Sequence, residues 1–447
     1  MEKRNAELYE LTEKNKFVEL RELLIEMNEV DISEFLETLE IEKMTLVFRM
    51  LPKDVSSEVF AYLELDTQEH IIKSATDTEL TEIIEDLFVD DAVDLLEELP
   101  AYVVKRVLKN AKADTRNIIN QYLMYGENSA GSIMTSEFIN LRKNMTVDSA
   151  FEKVRENARD METIYTCYVT DDSRRLEGVV SIKTMILSDP QVLLGEIMEE
   201  DVIYVSTDDD REEVAALFSK YGFLSLPVAD NERRIVGIVT VDDVLDVINE
   251  EATEDFEIMA AMRPSEKPYL KTSVFSLAKN RIMWLLVLMI SAMITGTVLQ
   301  KYEHAFAAFP LLVTFIPMLT DTGGNAGSQS STLIIRGMAL SEIKLKDAGK
   351  VLWKEFRVSI ITGSILSLVN FVRLLIMYPG NEVIAFTVTL SLFVTVIISK
   401  AAGCMLPMLA KLIRADPAIM AAPLITTLVD AFALIFYFMM AQKLLNI

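Results

Sequence analysis

The sequence predicts a multidomain chain: an all-α superhelical N-terminal domain, a duplicated pair of small α+β modules, a connecting helix, and an all-α membrane domain of five transmembrane helices. Three observations predict it. Charge and apolar residues are segregated along the chain, two segments repeat at fixed offsets, and the last third holds five long apolar stretches. Of 68 acidic and 43 basic residues among 447, only 8 acidic and 14 basic lie beyond residue 275. A part of net charge −31 therefore precedes a part of net charge +6. The length leaves room for about three domains at roughly 150 residues each.

Composition also excludes chemistries. Cys167 and Cys404 are the only cysteines and His70 and His304 the only histidines. That rules out a disulfide framework, a cysteine-based zinc site and an H-E-x-x-H metalloprotease helix. A domain at −31 repels phosphate, so nucleic acid is not an expected partner. No nucleophile, base and oxyanion arrangement and no phosphate loop is visible, and no enzyme activity is expected. The N-terminus, MEKRNAELYELTEKNK, has no apolar signal core, which leaves the acidic part in the cytoplasm.

Residues 1–128 form the first expected domain. From Asn5 to about Glu127 apolar residues recur three and four apart, as in Phe17, Leu20, Leu23, Leu24 and Met27, which is the helical period. Leu39 to Pro52 and Leu87 to Pro100 share an apolar frame 48 residues apart, each closing on Leu-Pro, so stacked helical hairpins are predicted. Residues 129–250 change to short β-branched runs between helices. Here LEGVVSIKTMI (Leu176 to Ile186) aligns with IVGIVTVDDVL (Ile235 to Leu245) at an offset of 59. Residues 251–275 read as a charged helix and linker, and 276–447 as membrane.

A hydrocarbon core of about 30 Å needs roughly 20 apolar residues per helix. Ile282 to Gln300, Ala305 to Ile335, Val358 to Tyr378, Val383 to Ala410 and Pro417 to Gln442 qualify. The segment Arg336 to Arg357 carries six basic residues, and Lys411 and Arg414 lie between the last two spans, so these loops are expected on the cytoplasmic side. Five spans then place the C-terminus outside.

Two membrane features point to function. Asp430 lies in PLITTLVDAFALIFYF with Thr426 and Thr427 one turn before it, and an intramembrane carboxylate is a functional candidate by default. The alternative is a carboxylate held by Lys400 or Arg373 from another helix. In the second span, Thr320 to Ser331 reads TDTGGNAGSQSS, a run that cannot face lipid. Gly323, Gly324 and Gly327 would allow close helix packing, and Asn325 with backbone carbonyls could line a pore.

Acidic stripes form the third feature. Asp242, Asp246, Glu250 and Glu254 recur every fourth position, with Asp243, Glu251, Asp255 and Glu257 beside them and Val244, Leu245 and Ile248 on the other face. Like charges four apart each cost about 0.2–0.5 kcal/mol. A second cluster holds Asp90, Asp91, Asp94, Glu97 and Glu98. A solvated face is the plain reading of either run.

The repeated segment, with Met134-Thr135 and Met198-Glu199 opening its two copies, resembles a tandem pair of CBS domains. PMLTDTGGNAGSQSSTLIIRG (Pro317 to Gly337) and DPAIMAAPLITTLVDAFALIFYF (Asp416 to Phe438), following that pair and an acidic helical domain, resemble the MgtE family of magnesium transporters across essentially the whole chain. The resemblance implies a homodimeric, multi-pass Mg²⁺ channel of the cell membrane, closed by cytosolic Mg²⁺, with Asp430 as its central ion site. It leaves the role of Asp321 open. It implies regulatory metal sites among Asp90, Asp91, Asp94, Asp242, Asp246, Glu250, Glu251, Glu254, Asp255 and Asp416. ATP at the CBS pair and passage of Co²⁺ or Mn²⁺ stay open. Two competing readings are a membrane-anchored adenine-nucleotide sensor and an ion-coupled secondary transporter of divalent cations.

Overall fold

The computed structural model describes residues 2–265, 269–270, 272–303, 309–340, 342–420 and 422–445. It divides into two compact units, Met1–Ile248 and Asn249–Ile447, each taken by itself below.

The first unit opens with ten helices: α1 (Glu2–Glu13), α2 (Phe17–Ile25), α3 (Glu29–Glu37), α4 (Ile41–Phe48), α5 (Lys53–Ala61), α6 (Leu65–Ser74), α7 (Asp77–Asp86), α8 (Val89–Glu98), α9 (Ala101–Asn110) and α10 (Ala113–Tyr122). Helices α3 to α6 start at 29, 41, 53 and 65, and α7 to α10 at 77, 89, 101 and 113. The 48-residue frame is thus a duplication of four helices. Polar contacts repeat with it. The Glu37 carboxylate accepts from the Glu64 N–H at 2.9 Å and the Thr67 hydroxyl at 3.0 Å. Glu85 does the same for the Lys112 N–H at 2.7 Å and Thr115 at 2.9 Å. Asn28 and Thr76, also 48 apart, are the side-chain caps of α3 and α7, each relieving an orphan N–H of a first turn. Odd helices stack in order, α3 on α5, α5 on α7 and α7 on α9.

The duplicated α+β pair follows. β1 (Phe138–Leu141), α11 (Val147–Asn157), β2 (Thr163–Thr170), β3 (Leu176–Ser181) and α12 (Ile182–Leu187) form one module. After α13 (Leu194–Ile197), the second has β4 (Val205–Ser206), α14 (Arg211–Tyr221), β5 (Ser225–Ala229), β6 (Ile235–Thr240) and α15 (Val241–Met259). Each sheet has three strands, the middle one parallel to the first and antiparallel to the third. The turns before β3 and β6 match atom for atom: Asp171 Oδ1 accepts from the Ser173 and Arg175 N–H groups, Asp230 Oδ1 from those of Glu232 and Arg234. Arg174 and Arg233 take the left-handed conformation at φ 64° and 62°. The modules join through the Tyr168 and Ser225 hydroxyls, 2.8 Å apart and buried.

The connecting helix is continuous with the second module and ends at Met259, inside the expected helix-and-linker segment 251–275. Val244 and Val247 are its buried residues, while Leu245 and Ile248 are 55% and 39% exposed. Of the predicted apolar face only Val244 is buried; Val247 completes the buried stripe in place of Leu245 and Ile248.

In the second unit, α16 (Val274–Lys301), α18 (Ala348–Met377) and α19 (Glu382–Leu412) are long and apolar enough to cross a membrane. So is α20 (Ala422–Leu445), taken with the short turn from Pro417. The fifth expected span is α17 (Ile316–Ala339), 24 residues packed against α19 and α20 but carrying the small polar run; its predicted start at Ala305 lies outside the described residues, as does Ile447. The basic segment expected as a loop over Arg336 to Arg357 is mostly helical. Only residues 340–347 separate α17 from α18, which places Lys350, Lys354 and Arg357 on the first turns of α18.

Candidate ion sites

Glycines set how closely the membrane helices meet. A Cβ on Gly324 would lie 2.7 Å from Thr426 Cγ2, and one on Gly323 2.8 Å from Val429 Cγ1, so side chains of α20 seat on the glycines of α17. A Cβ on Gly403 of α19 would lie 2.2 Å from the Gly327 carbonyl oxygen, a backbone-to-backbone contact. This face of α17 is buried. On its other side Asp321, Asn325 and Gln329, four apart, are exposed. Asp430 on α20 is half-buried, and the charge of Asp321 acts on it. The sequence left Asp321 without a role; the fold brings its charge within range of Asp430.

Neither of the two expected cations reaches Asp430. Lys400, 6% exposed, lies 4.0 Å from the carboxylate of Glu355 on α18 and donates to Ser330 Oγ at 3.4 Å. Ser330 Oγ in turn donates to Glu355 Oε2 at 2.6 Å. Arg373 points its guanidinium at Met318 Sδ, 3.4 Å away. Among the described residues, Asp321 and Asp430 take part in no ion pair. Glu355 escaped sequence reasoning because it was read as part of a loop. Its helical period is the available signal, since Val351, Ser359, Gly363, Ser367 and Asn370 mark the buried face of α18 on which it lies.

A second acidic site lies in the first unit. Asp90 opens α8 and is 7% exposed, and its Oδ1 has no hydrogen-bond partner. Burial first, then the charges of Asp243, Asp91 and Glu162, push its carboxyl well above the usual carboxylate range. Burial and Asp242 and Glu137 raise Asp91 to about 6. Burial raises Asp243 to about 7, with Asp242 and Asp91 adding to it. Glu162 is pushed to about 8 by burial and by Asp243, Asp242, Asp91 and Glu137. Six carboxylates from α8, α15 and the edges of the first module thus face one another. Asp90, Asp91 and Asp242 were foreseen. Glu137 and Glu162 were not, because no local pattern marks a contact made across elements. Asp94 and Glu250 are exposed, and Asp246, also exposed, is raised by burial and by Asp242.

The third group is in the second unit. Burial, then Asp416, Glu251 and Glu254, raise Asp255 to about 6. Asp416 Oδ1 accepts from the Ala418 N–H at 2.7 Å and so caps the turn entering α20. Next to it Ile258 and Met259, the last residues of α15, pack on Ile335 and Ala418, which are 4% and 0% exposed. Among the described residues, no three carboxylate, cysteine or histidine side chains converge closely enough to clasp one bare metal ion.

The two modules also form a cleft of about 770 Å³, lined among others by Thr166, Tyr168, Asp201, Tyr221 and Phe223. Gly222, at φ 68°, ends α14 in the left-handed conformation and turns the chain along this cleft.

Comparisons with known proteins assign the domains to a family. Residues 316–440 match the MgtE family described as a divalent cation transporter, 27–128 its intracellular N domain, and 130–188 and 194–250 CBS domains. The magnesium transporter MgtE of Thermus thermophilus is 37% identical over 449 residues, covering 100% of this chain and 99% of its own. The chain belongs to the MgtE family. The MgtE of Bacillus subtilis is 31% identical, covering 93% of this chain and 94% of its own. A crystal structure of the cytosolic domain of the Mg²⁺ channel MgtE in complex with ATP shares 40% identity at a TM-score of 0.52, covering 54% of this chain and 99% of its own. The soluble part of a magnesium transporter shares 32% identity at a TM-score of 0.54, over 56% of this chain and 99% of its own.

Proposed function

We propose that this MgtE chain carries Mg²⁺ across the cell membrane through a pore lined by α17 and α20, and that cytosolic Mg²⁺ closes it. The observation that carries the reading is the Asp321 and Asp430 pair. Two carboxylates sit on adjoining helices of an apolar bundle, while the buried lysine of that bundle is engaged by Glu355. Lipid cannot face the Asp321, Asn325 and Gln329 stripe. A second copy of the chain across a two-fold axis would cover it, leaving water along Asn325 and Thr427 and bringing two Asp430 residues to one axis; Gly323 and Gly324, expected on the pore wall, are instead buried against Thr426 and Val429 and serve helix packing. Such a ring attracts a hydrated divalent ion about twice as strongly as a monovalent one. It offers too few oxygens to strip Mg²⁺ of its shell. In this reading α17 is the fifth crossing and the C-terminus is extracellular.

Closure follows from the two cytosolic acid clusters. Without divalent ions, Asp90, Asp91, Asp242, Asp243 and Glu162 repel and the first unit loosens. Mg²⁺ between them, and between Asp255 and Asp416 with Glu251 and Glu254 near, favours the compact arrangement that seats Ile258 and Met259 on Ile335 and Ala418. Reversing a 1:99 equilibrium takes about 5.5 kcal/mol of differential binding, within reach of several weak sites acting together. The cleft between the modules has the volume of a small-ligand site and aromatic walls, in keeping with an adenine nucleotide there.

Flux into liposomes tests the proposal. Purified chain should pass Mg²⁺ with no other ion gradient present, lose this as internal Mg²⁺ rises, and lose it altogether as Asp430→Ala. Wild-type flux in that variant would remove the conduction site, and flux needing a second ion's gradient would make the chain a coupled transporter.

A further inference from the structure

Helices α3 to α10 form a stack that stops without a last layer. In the first repeat α7 covers α5, and Ser57, Phe60 and Gln68 are 5%, 0% and 9% exposed beneath it. The acids of α7 grip bases of the preceding layer: Glu79 pairs with Arg49 at 3.3 Å and Glu82 with Lys53. Towards the next layer, Asp77 of α7 pairs with Arg106 of α9 at 3.0 Å. At the 48-residue equivalents of Ser57, Phe60 and Gln68 stand Lys105, Leu108 and Arg116, and no further helix of the stack follows α10. A groove of about 580 Å³ remains there, floored by Leu99, Val104 and Leu108 and rimmed by Lys105, Lys109 and Arg116.

We propose that this open end is a docking groove for an acidic amphipathic helix of a partner protein. Terminal repeats of a stack need a polar outer face for solubility, but charge of either sign supplies that. Here three positions that are uncharged in the first repeat, Ser57, Ala61 and Gln68, are basic in the second, in a part of the chain with 60 acidic and 29 basic residues. The apolar floor is kept beneath them. The bases that α7 grips, Arg49 and Lys53, have Glu97 and Ala101 as their 48-residue equivalents, so the positive charge of the groove is carried by Lys105, Lys109 and Arg116 themselves; α7, with Leu80, Ile83 and Ile84 buried and Asp77, Glu79 and Glu82 beside them, is an example of a helix of complementary composition. The ligand is therefore a helix with aliphatic residues three and four apart, flanked by Asp or Glu.

The probe is a peptide of residues 76–87, held helical by a side-chain staple on its outer face and titrated onto the full chain in zwitterionic nanodiscs. Saturable binding is expected, falling with salt and weakened at least tenfold by Leu108→Glu and by Lys105→Glu with Lys109→Glu. The second variant changes only exposed residues, so it stays informative if Leu108→Glu misfolds. A peptide with Glu79→Lys and Glu82→Lys should recover binding to it. Absence of peptide binding, or equal binding to wild type and both variants, overturns the proposal. Flotation of the nanodiscs with phosphatidylserine vesicles, lost in the lysine variant while the peptide fails to bind, would overturn it in favour of an anionic lipid surface.

Discussion

Two sets of buried acids in this chain are handled in opposite ways. Glu355, among membrane helices, meets Lys400 at 4.0 Å and the Ser330 hydroxyl at 2.6 Å, so its charge is answered within the protein. Asp90, in the first unit, meets Asp91, Asp243 and Glu162, and one of its oxygens has no partner. An answered charge holds a structure together. An unanswered one is strain that only an added cation or a proton relieves, and half-buried Asp430, with exposed Asp321 near it, also has no cation partner among the described residues.

The largest expected effect separates the patterns within the membrane. Asp430→Asn should cut Mg²⁺ flux at least a hundredfold without lowering thermal stability, because no bonded partner is left behind. Glu355→Gln should do the reverse: it strands a buried ammonium, at a cost of about 3–5 kcal/mol. Adding Lys400→Met should recover most of that loss. A double variant no more stable than Glu355→Gln alone would mean that the ion pair does not set the cost.

Next in size is the backbone contact of α17 and α19. Gly403→Ala forces a methyl group against the Gly327 carbonyl and should cost about 1–3 kcal/mol, read as a lowered melting temperature in detergent.

Smaller, and specific to the first unit, is a pH effect. Asp91, Asp243 and Glu162 have folded values of about 6, 7 and 8, against about 4 for unfolded carboxyls. Folded values raised in this way give stability that is complete below about pH 4 and lost as pH rises through 6 to 8. Millimolar Mg²⁺ should therefore raise the melting temperature more at pH 8 than at pH 5.5 and release protons on binding. An equal rise at both pH values would separate ion binding from these carboxylates.

The smallest is Asp90→Asn. It should stabilise the ion-free protein by about 1 kcal/mol, or roughly 2–4 °C, and reduce the Mg²⁺ response. Destabilisation would show that Asp90 has a partner worth more than its repulsions.

What could be read from residues alone follows from where each signal is stored. The 48- and 59-residue repeats are periodic, so the order of domains was legible, and four apolar spans declared themselves by length. Asp430 was legible because a carboxylate among apolar residues is conspicuous. Glu137 and Glu162 were hidden because their meaning arises only where β1 and β2 come up against α8 and α15. Glu355 was hidden by the lysines and arginine around it, which made a helix start resemble a loop. The end of the connecting helix carries no stop signal in the charged run; it falls at Met259, where the chain turns through Ala261 at φ 55°.

Where Gly403 rests on the Gly327 carbonyl, two rods of the bundle meet with no side chain between them. A joint of that kind has no soft layer that could swing aside. Any widening of the proposed passage would then come from whole helices sliding or rocking as stiff bodies, which places such switching on the microsecond-to-millisecond scale and not that of rotamer flips.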